Sequence, residues 1–432
     1  MKITHIHIER FRGFQNEDFE VGSLLTAIAG QNGTQKSTLL GIITQTFTLK
    51  TEDSMRVEKP LCGGSYISAF KDKFRLSPTF DKPKGHEWTI SFDAGMDDFT
   101  VESIKRTGDP NVRFWKKGAR QEGDGYISFP TIFLSLKRLV PVAEEAKIIT
   151  DDTLLTQEEL NEFKQLHNKI LIAQTPISSA TTITSKNKQS IGVSTELYDW
   201  NQNSMGQDNL GKIILALFSF KRLHDKYPRQ YKGGILAIDE MDATMYPASQ
   251  VELLKVLRKY ASKLNLQILF TTHSMSLLKA MDDLVQEVTK KEETANQAKI
   301  LYLKKVDDKI AIKQGVNFKG IQLDLNVVAE GNNRKKNRIT AYTEDKENIL
   351  FVKAILKSKA FVLDFVDVTL PCSTLLELVT KRVPAFIYPY SIVILDGDVR
   401  MNKNDLRKIN NADNILILPG NKSPERLLAS YL

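Results

Sequence analysis

Residues 30–37, Gly-Gln-Asn-Gly-Thr-Gln-Lys-Ser, constrain the fold of this chain more than any other segment. They follow the apolar run Leu24–Ala29, which predicts a buried strand, and they precede an apolar pattern with helical spacing at 39–43. A strand, a glycine-containing loop ending in Lys-Ser and a helix are typical of the P-loop. There, backbone amides surround phosphates, the lysine neutralises their charge and the hydroxyl binds Mg²⁺. Gln35 stands where glycine is usual, so this hypothesis needs support from other segments.

Composition indicates a globular protein from a reducing compartment. A length of 432 residues predicts two or three domains, and no apolar run approaches the ~20 residues of a membrane span. The only two cysteines, Cys62 and Cys372, lack metal-ligand spacing, which argues against a disulfide framework or a zinc site and favours the cytoplasm. The net charge of +8 fits a polyanionic partner such as nucleic acid, and fits a merely basic protein equally well.

The order of predicted elements indicates an α/β protein. Short β-like runs separated by glycine and proline between residues 50 and 130 predict an antiparallel region. A helix is expected over 153–175, with Thr156 as its N-cap and Glu159 three residues later. Strands and helices alternate after residue 234, which predicts a mostly parallel sheet. The basic segment 331–338 is the best domain boundary, because a β/α alternation restarts after it.

Three polar residues at predicted strand ends complement the P-loop. Asp239 ends the apolar strand 235–238 and is placed to hold Mg²⁺ through water, and Glu240 beside it could polarise an attacking water. His273 ends the next strand and could sense the γ-phosphate. Taken singly, these residues could be a solvated strand end and a helix cap. Their common order favours a nucleotide site.

The order of P-loop, Ser204–Gln207, Asp239-Glu240 and Thr272-His273 resembles the ABC-type ATPase heads of the SMC, RecF and OLD group. The resemblance implies ATP and Mg²⁺ as cofactors, and a dimer of heads in which the signature segment of one protomer caps the nucleotide of the other. The implied nucleotide-binding residues are Gly30, Gln31, Asn32, Gly33, Thr34, Gln35, Lys36, Ser37, Thr38, Ser204, Gly206 and Gln207, with Ser37 and Asp239 at the Mg²⁺. No coiled-coil heptads separate the P-loop from the signature, which excludes a long-armed SMC protein.

A second group of acids follows strands near the C-terminus. Glu344 follows one predicted strand and Asp396-Gly397-Asp398 a later one, so these acids should converge at one sheet edge. This arrangement resembles the Toprim domain of topoisomerases, primases and OLD-family nucleases. It implies Mg²⁺ or Mn²⁺ bound by Glu344, Glu347, Asp396 and Asp398, with Lys422 stabilising the scissile phosphate. Asn348 stands where the OLD pattern has an acid, and a degenerate Toprim domain with a structural role stays open.

The resemblance therefore implies an OLD-like ATP-regulated DNA endonuclease of anti-phage defence, without a membrane partner. We expect an ABC-type head with an antiparallel β subregion and a helical lobe at 1–325, a basic linker at 326–338 and a Rossmann-like Toprim domain at 339–432. The expected partners are DNA, further copies of the chain, and a second defence protein or nucleic-acid component. The alternative is a Septu-like ATP-sensing scaffold that controls a separate nuclease. A RecF-like repair protein ranks last, because it gives the C-terminal acids no role.

Overall fold

The computed structural model describes residues 1–430 except 68–69, 94, 106–111, 120–123, 140–147, 152–153, 186–188, 331–338 and 388–390. The chain divides into two compact units, Met1–Gln322 and Leu323–Leu432, and each is described by itself. Most of the predicted basic linker, 331–338, lies outside the described residues. Among the described helices, none combines the length and the apolar character needed to cross a bilayer.

In the part of unit 1 that the structure describes, there are sixteen strands and six complete α-helices, and a seventh begins there. The strands are β1 (Ile3–Phe11), β2 (Phe14–Glu20), β3 (Leu25–Gly30), β4 (Phe47–Thr48), β5 (Glu87–Phe92), β6 (Phe99–Lys105), β7 (Val112–Lys116), β8 (Ile127–Ser128), β9 (Thr131–Leu134), β10 (Ile149–Asp151), β11 (Ser179–Thr184), β12 (Gln189–Ser194), β13 (Gly234–Ile238), β14 (Leu266–Thr272), β15 (Ala298–Val306) and β16 (Lys309–Lys313). The helices are α1 (Lys36–Thr44), α2 (Phe70–Lys73), α3 (Gln157–Leu171), α4 (Met205–Lys226), α5 (Pro247–Lys263), α6 (Met275–Val288) and α7 (Phe318–Glu330), the last of which runs across the division between the units.

The central sheet of unit 1 has six strands in the order β16-β15-β3-β14-β13-β9. All its neighbouring pairs are parallel except the edge pair β15 and β16. Every residue of β3, β13 and β14 is buried, as expected for parallel strands covered on both faces. The predicted parallel sheet is therefore confirmed, and the loops after β3, β13 and β14 emerge at one edge.

A second, antiparallel sheet has the order β2-β1-β5-β6-β7, which confirms the antiparallel region. Its strands alternate, so that Ile6 and Ile8 of β1 and Trp88 of β5 point into a core shared with Leu39 of α1 and Leu269 of β14. This core fixes α1 behind the P-loop.

Helices α3 and α4 and the antiparallel sheet β10-β11-β12 lie between β9 and β13 in the chain. The predicted N-cap of α3 is confirmed: Thr156 and Glu159 form a reciprocal capping box. The lobe is not purely helical, because its sheet packs against α4, where Gly211 meets the carbonyl of Ile191.

Unit 2 is a four-stranded parallel sheet with helices. The strands are β17 (Ile339–Thr343), β18 (Leu363–Phe365), β19 (Ser391–Leu395) and β20 (Ile415–Ile417), and the helices are α8 (Lys346–Leu356), α9 (Cys372–Thr380), α10 (Lys403–Asn410) and α11 (Pro424–Ala429). The strand order is β18-β17-β19-β20, and all three pairs are parallel. Because β17 and β19 are neighbours, the residues that follow them lie at the same sheet edge.

Candidate functional site

The loop between β3 and α1 adopts a backbone that requires glycine at its start. Gly30 has φ +150°, and a Cβ there would lie 2.4 Å from the carbonyl oxygen of Leu303. Gly33 has φ +80° at the tip, in the left-handed region that glycine enters without strain. The hydroxyl of Thr34 donates to the carbonyl of Gln31 across 2.8 Å and closes the turn.

Lys36, the first residue of α1, points back into this loop. Its Nζ donates to the carbonyl oxygens of Gly30 at 3.0 Å and Gln31 at 2.9 Å, and only 8% of the residue is exposed. Burial lowers the pKa of Lys36 to about 8, while the nearby carboxylates of Glu240 and Asp239 oppose that shift. A desolvated ammonium group inside a glycine loop suits the binding of phosphates.

Gln35 is the N-cap of α1 and has φ +63°, a left-handed conformation. Glycine enters that region freely and glutamine does so at a cost, which gives a backbone reason for the usual glycine. The side chain of Gln35 is directed toward Gly13, where its Nε2 lies 2.9 Å from the position of a Cβ. Its Oε1 is buried and has no hydrogen-bond partner among the described residues.

Asp239, directly after β13, holds the hydroxyl of the P-loop serine. Its Oδ1 accepts from Ser37 Oγ at 2.9 Å and from Thr271 Oγ1 at 2.7 Å. A serine hydroxyl beside a carboxylate provides the hard oxygen ligands that Mg²⁺ prefers, so the residues present fit this cation. Three separated segments therefore meet at the predicted metal position.

Glu240 and His273 lie close to the same point. Glu240 has φ +50°, and its backbone N–H donates to Thr271 Oγ1 at 2.6 Å. The N–H of His273 points at both carboxylate oxygens of Asp242, each 3.4 Å away. Burial and then the charge of Lys36 lower the pKa of His273, which favours a neutral ring at physiological pH. The two predicted catalytic residues, Glu240 and His273, therefore both interact electrostatically with Lys36.

The predicted signature segment forms the start of α4. Ser204 and Gln207 make a capping box, with Ser204 N donating to Gln207 Oε1 at 2.9 Å and Gln207 N to Ser204 Oγ at 3.3 Å. Gly206 is required for packing, because a Cβ there would lie 2.5 Å from the carbonyl oxygen of Thr244. Asn203, just before this segment, pairs through its amide with the backbone N–H and C=O of Val193. The segment thus lies against the turn that follows Asp239.

Two buried residues beside this turn were missed by sequence reasoning. Arg138 follows β9 and donates to the carbonyl of Glu240 at 2.8 Å and to Asn209 Oδ1 at 2.7 Å. Asn209 on α4 donates in turn to the carbonyl of Ala243 at 3.0 Å. A lone arginine after a strand has no spacing signal, and its partners are mostly carbonyls. Only the tertiary structure reveals such contacts.

At the acidic edge of unit 2, the structure brings Glu344 and Asp396 into contact. Oε1 of Glu344 accepts from the backbone N–H of Asp396 at 3.0 Å. Burial and then the charge of Asp398 raise the pKa of Glu344. Burial and then the charge of Glu344 raise the pKa of Asp396 to about 7. Carboxyl groups that are desolvated and repel each other are stabilised by a cation, so they fit a divalent metal.

Asn348, on the first turn of α8, is fully buried beside this pair. A side-chain contact with Asn348 lowers the pKa of Asp396, against the larger effect of burial. The Oδ1 of Asn348 has no hydrogen-bond partner among the described residues. Burying such atoms costs free energy unless a ligand satisfies them, which is a second sign of a binding site.

The other predicted acids differ in how they relate to this pair. Asp398 is exposed in the turn after Asp396, and its charge acts on both carboxyls of the pair. Glu347 belongs to a separate cluster with Asp345 and Glu425, whose ligand oxygens lie within 4.8 Å of one another. Asp345 and Glu425 are absent from the ligand set predicted from sequence.

Lys422 belongs to the loop after β20. A Cβ on Gly397 would lie 2.9 Å from the carbonyl oxygen of Lys422 and 2.7 Å from that of Gly420. The predicted lysine is therefore carried by a loop that packs directly on the Asp-Gly-Asp turn. Arg400, which was not predicted, holds this loop by donating to the carbonyls of Leu418 and Gly420.

One protein family matches part of unit 1 in sequence. Residues 135–278 match the family described as an AAA ATPase domain. The match includes Asp239, Glu240 and His273, and it lies C-terminal to the P-loop that meets them in the structure. Residues 135–278 are therefore similar to an AAA ATPase domain. No curated protein matches the chain in sequence.

The chain is also similar to solved SMC and RecF structures. The SMC head domain from Thermotoga maritima is 14% identical, with a TM-score of 0.40 over 73% of this chain and 100% of that chain. An SMC head bound to the C-winged helix domain of ScpA is 14% identical, with a TM-score of 0.45, and the match covers 74% of this chain and 100% of that chain. The recombination mediator RecF is 12% identical, with a TM-score of 0.37, and the match covers 73% of this chain and 98% of that chain. These identities are too low to transfer an activity.

Proposed function

We propose that this protein is an ATP-regulated, metal-dependent DNA endonuclease of the OLD type. The proposal divides the chain into an ABC-type ATPase domain at 1–325, a basic linker at 326–338 and a Toprim-like nuclease domain at 339–432. The observation that carries it is the contact between Glu344 and Asp396 at the ends of neighbouring parallel strands, where the backbone N–H of Asp396 donates to Glu344 Oε1 at 3.0 Å.

In the ATPase domain, each residue has a distinct role in the proposal. Lys36 and the loop amides bind the triphosphate, and Ser37 with Asp239 holds Mg²⁺. Glu240 polarises the attacking water, and the neutral ring of His273 reports the γ-phosphate.

A second copy of the chain completes the nucleotide site in this proposal. It contributes Ser204, Gly206 and Gln207 to the nucleotide, so two heads close on two ATP molecules. Contact with a nucleotide would require Ser204 and Gln207 to exchange their mutual hydrogen bonds for phosphate contacts, or to use backbone groups.

In the nuclease domain, Glu344, Asp396 and Asp398 hold the cation, and Glu347 contributes through its cluster with Asp345 and Glu425. Bound Mg²⁺ or Mn²⁺ would stabilise negative charge on the attacking and departing oxygens of a phosphodiester. Lys422 lies on the loop that packs on the Asp-Gly-Asp turn, and its ammonium group would contact the scissile phosphate.

The biological setting follows from the same proposal. The net charge of +8 suits DNA as the substrate. We propose action in the cytoplasm against phage DNA, with a second defence protein or a nucleic-acid component as the trigger. Closure of the ATPase heads would then control the access of DNA to the acidic edge.

The test is cleavage of plasmid and linear DNA by the purified chain with Mg²⁺ or Mn²⁺. Asp396→Ala should reduce cleavage at least 100-fold, and the exposed Asp364→Ala on β18 should cleave like the parent. Cleavage that survives in Asp396→Ala would show that the nuclease assignment is wrong.

A second candidate function is favoured by Asn348. An amide stands there in place of an acid and lowers the negative charge available to a cation. In this alternative the chain is an ATP-sensing scaffold, and a separate nuclease subunit cuts. The two candidates differ in the behaviour of the chain alone: the first predicts metal-dependent cleavage, and the second predicts ATP binding without any cleavage.

A further inference from the structure

Arg138 is the largest buried cation at the ATPase edge. It lies in the short turn Leu136–Leu139 after β9, with 1% of its surface exposed. Its Nη1 donates to the carbonyls of Leu134 and Ser135, at 3.2 and 3.1 Å, within its own segment. Its Nε and Nη2 reach outward to two other elements.

These two outward bonds join the start of α4 to the turn after β13. Nε donates to Asn209 Oδ1 at 2.7 Å, and Nη2 donates to the carbonyl of Glu240 at 2.8 Å. Asn209 closes the connection through its 3.0 Å bond to the carbonyl of Ala243. The turn is thereby held at two carbonyls by one guanidinium and one amide, both fully buried.

The turn needs such support because its backbone is strained. Glu240 and Thr244 have φ of +50° and +68°, values that side-chain-bearing residues rarely adopt. The backbone of Gly206 packs against the carbonyl of Thr244, so the first turn of α4 contacts the strained turn directly.

The charge of Arg138 also influences the site. Burial lowers its pKa to about 10, opposed by the nearby acids Asp239, Glu240 and Asp242, so the side chain is cationic at neutral pH. Its described hydrogen bonds go to carbonyl and amide oxygens. The carboxylate of Glu240 is therefore left available for chemistry while its backbone is fixed.

We propose that Arg138 is a positioning residue that aligns the Glu240 carboxylate with the first turn of α4. The inference rests on the hydrolytic role proposed above for Glu240. It assigns Arg138 to turnover and not to nucleotide affinity, because none of its bonds is made to the P-loop.

The experiment compares kcat for ATP hydrolysis with the dissociation constant for ATP. Arg138→Met should lower kcat about 30-fold and Arg138→Lys about 10-fold, while ATP affinity stays within threefold of the parent. Asn209→Ala keeps the guanidinium and should lower kcat about fivefold, so it tests the connection even where Arg138→Met does not fold. Arg222→Met is the matched control, because Arg222 binds Glu159 away from the site.

Two results would overturn the inference: kcat within twofold of the parent in both Arg138→Lys and Asn209→Ala, or an equal loss of kcat in Arg222→Met. Glu240→Gln separates this failure from failure of the proposed function. Hydrolysis that persists in Glu240→Gln removes the hydrolytic role of Glu240 and the inference with it. If Glu240→Gln abolishes hydrolysis but the Arg138 and Asn209 variants do not affect it, the positioning role of Arg138 is wrong. The hydrolytic role of Glu240 then stands.

Discussion

The two strand-end sites of this protein differ in how well the chain itself satisfies their polar groups. At the ATPase edge, Lys36, Asp239 and Arg138 are buried, and each is hydrogen-bonded to at least two protein groups. One exception there is Gln35, whose buried Oε1 has no partner among the described residues.

At the acidic edge, burial and neighbouring acids raise the pKa values of Glu344 and Asp396, and the buried Asn348 Oδ1 has no partner among the described residues. The charged groups of the ATPase edge are therefore preorganised, whereas the acidic edge would need a cation to balance its charge.

The largest expected effect tests the preorganised site. Lys36→Met should weaken ATP binding by about 100-fold or more, because loss of a buried charge contact costs on the order of 3 kcal/mol. Calorimetric titration with ATP and Mg²⁺ measures the change. Lys279→Met is the control, since Lys279 is exposed and paired with Asp283 on α6. Equal affinities in the two variants would contradict the P-loop assignment.

The acidic edge should depend on pH in a defined direction. The pKa of Asp396 is about 7 in the folded chain against 3.8 ordinarily, so the folded state binds the extra proton between these values. The free energy of unfolding should therefore fall as pH rises from about 4 to 7, and the loss persists above pH 7. Asp396→Asn should flatten this dependence and raise the melting temperature of unit 2 at pH 8 by several degrees.

Melting curves between pH 4 and 8 measure this effect, with Asp364→Asn as the exposed control on β18 of the same sheet. Mn²⁺ should raise the melting temperature of the parent at pH 8 and leave Asp396→Asn unchanged. If Mn²⁺ does not change the melting temperature of the parent protein, the proposed difference between the two edges is wrong.

A smaller effect is expected for ATP affinity at high pH. The pKa of Lys36 is about 8, so the free protein loses this charge above that pH, and ATP binding must restore the proton. Affinity should fall by only about twofold between pH 7 and 8 and then by up to about tenfold per pH unit. The phosphates are ionised throughout this range, since their last pKa is about 6. An affinity that is flat to pH 9.5 would show that Lys36 stays charged.

The smallest effect concerns Gln35. Gln35→Gly removes a left-handed glutamine and should raise the free energy of unfolding by less than about 1 kcal/mol, because glycine also loses more entropy on folding. Steady-state ATP hydrolysis should rise if Gln35 slows turnover. Lys84→Gly is a matched control, with φ +61° on a different turn. An unchanged rate in Gln35→Gly would exclude Gln35 as the cause of slow turnover.

Sequence predicted the features that depend on near neighbours. The capping box at Thr156 and Glu159 requires four consecutive residues, and the buried strand before Asp239 requires only an apolar run. Strand-end acids were found because parallel strands bring their carboxyl ends together. These patterns are local or follow from one topological rule.

The features that sequence missed depend on distant contacts. Arg138 and Asn209 are 71 residues apart, and Glu425 approaches Asp345 through packing that no spacing encodes. The roles of Gly206 and Gln35 in the backbone also became visible only in three dimensions, as a contact with Thr244 and a positive φ. The Toprim assignment, the dimer and the nuclease activity stay predictions.

The central claim is that ATP held by unit 1 regulates metal-dependent cleavage at the acidic edge of unit 2. The most direct measurement is the cleavage rate of DNA by the purified chain in Mn²⁺, with and without ATP, for the parent, Lys36→Met and Asp396→Asn. We predict that ATP changes the rate in the parent at least tenfold, that Lys36→Met cleaves at one rate regardless of ATP, and that Asp396→Asn does not cleave. Equal cleavage by the parent and Asp396→Asn, or no cleavage by any of the three, would contradict the claim.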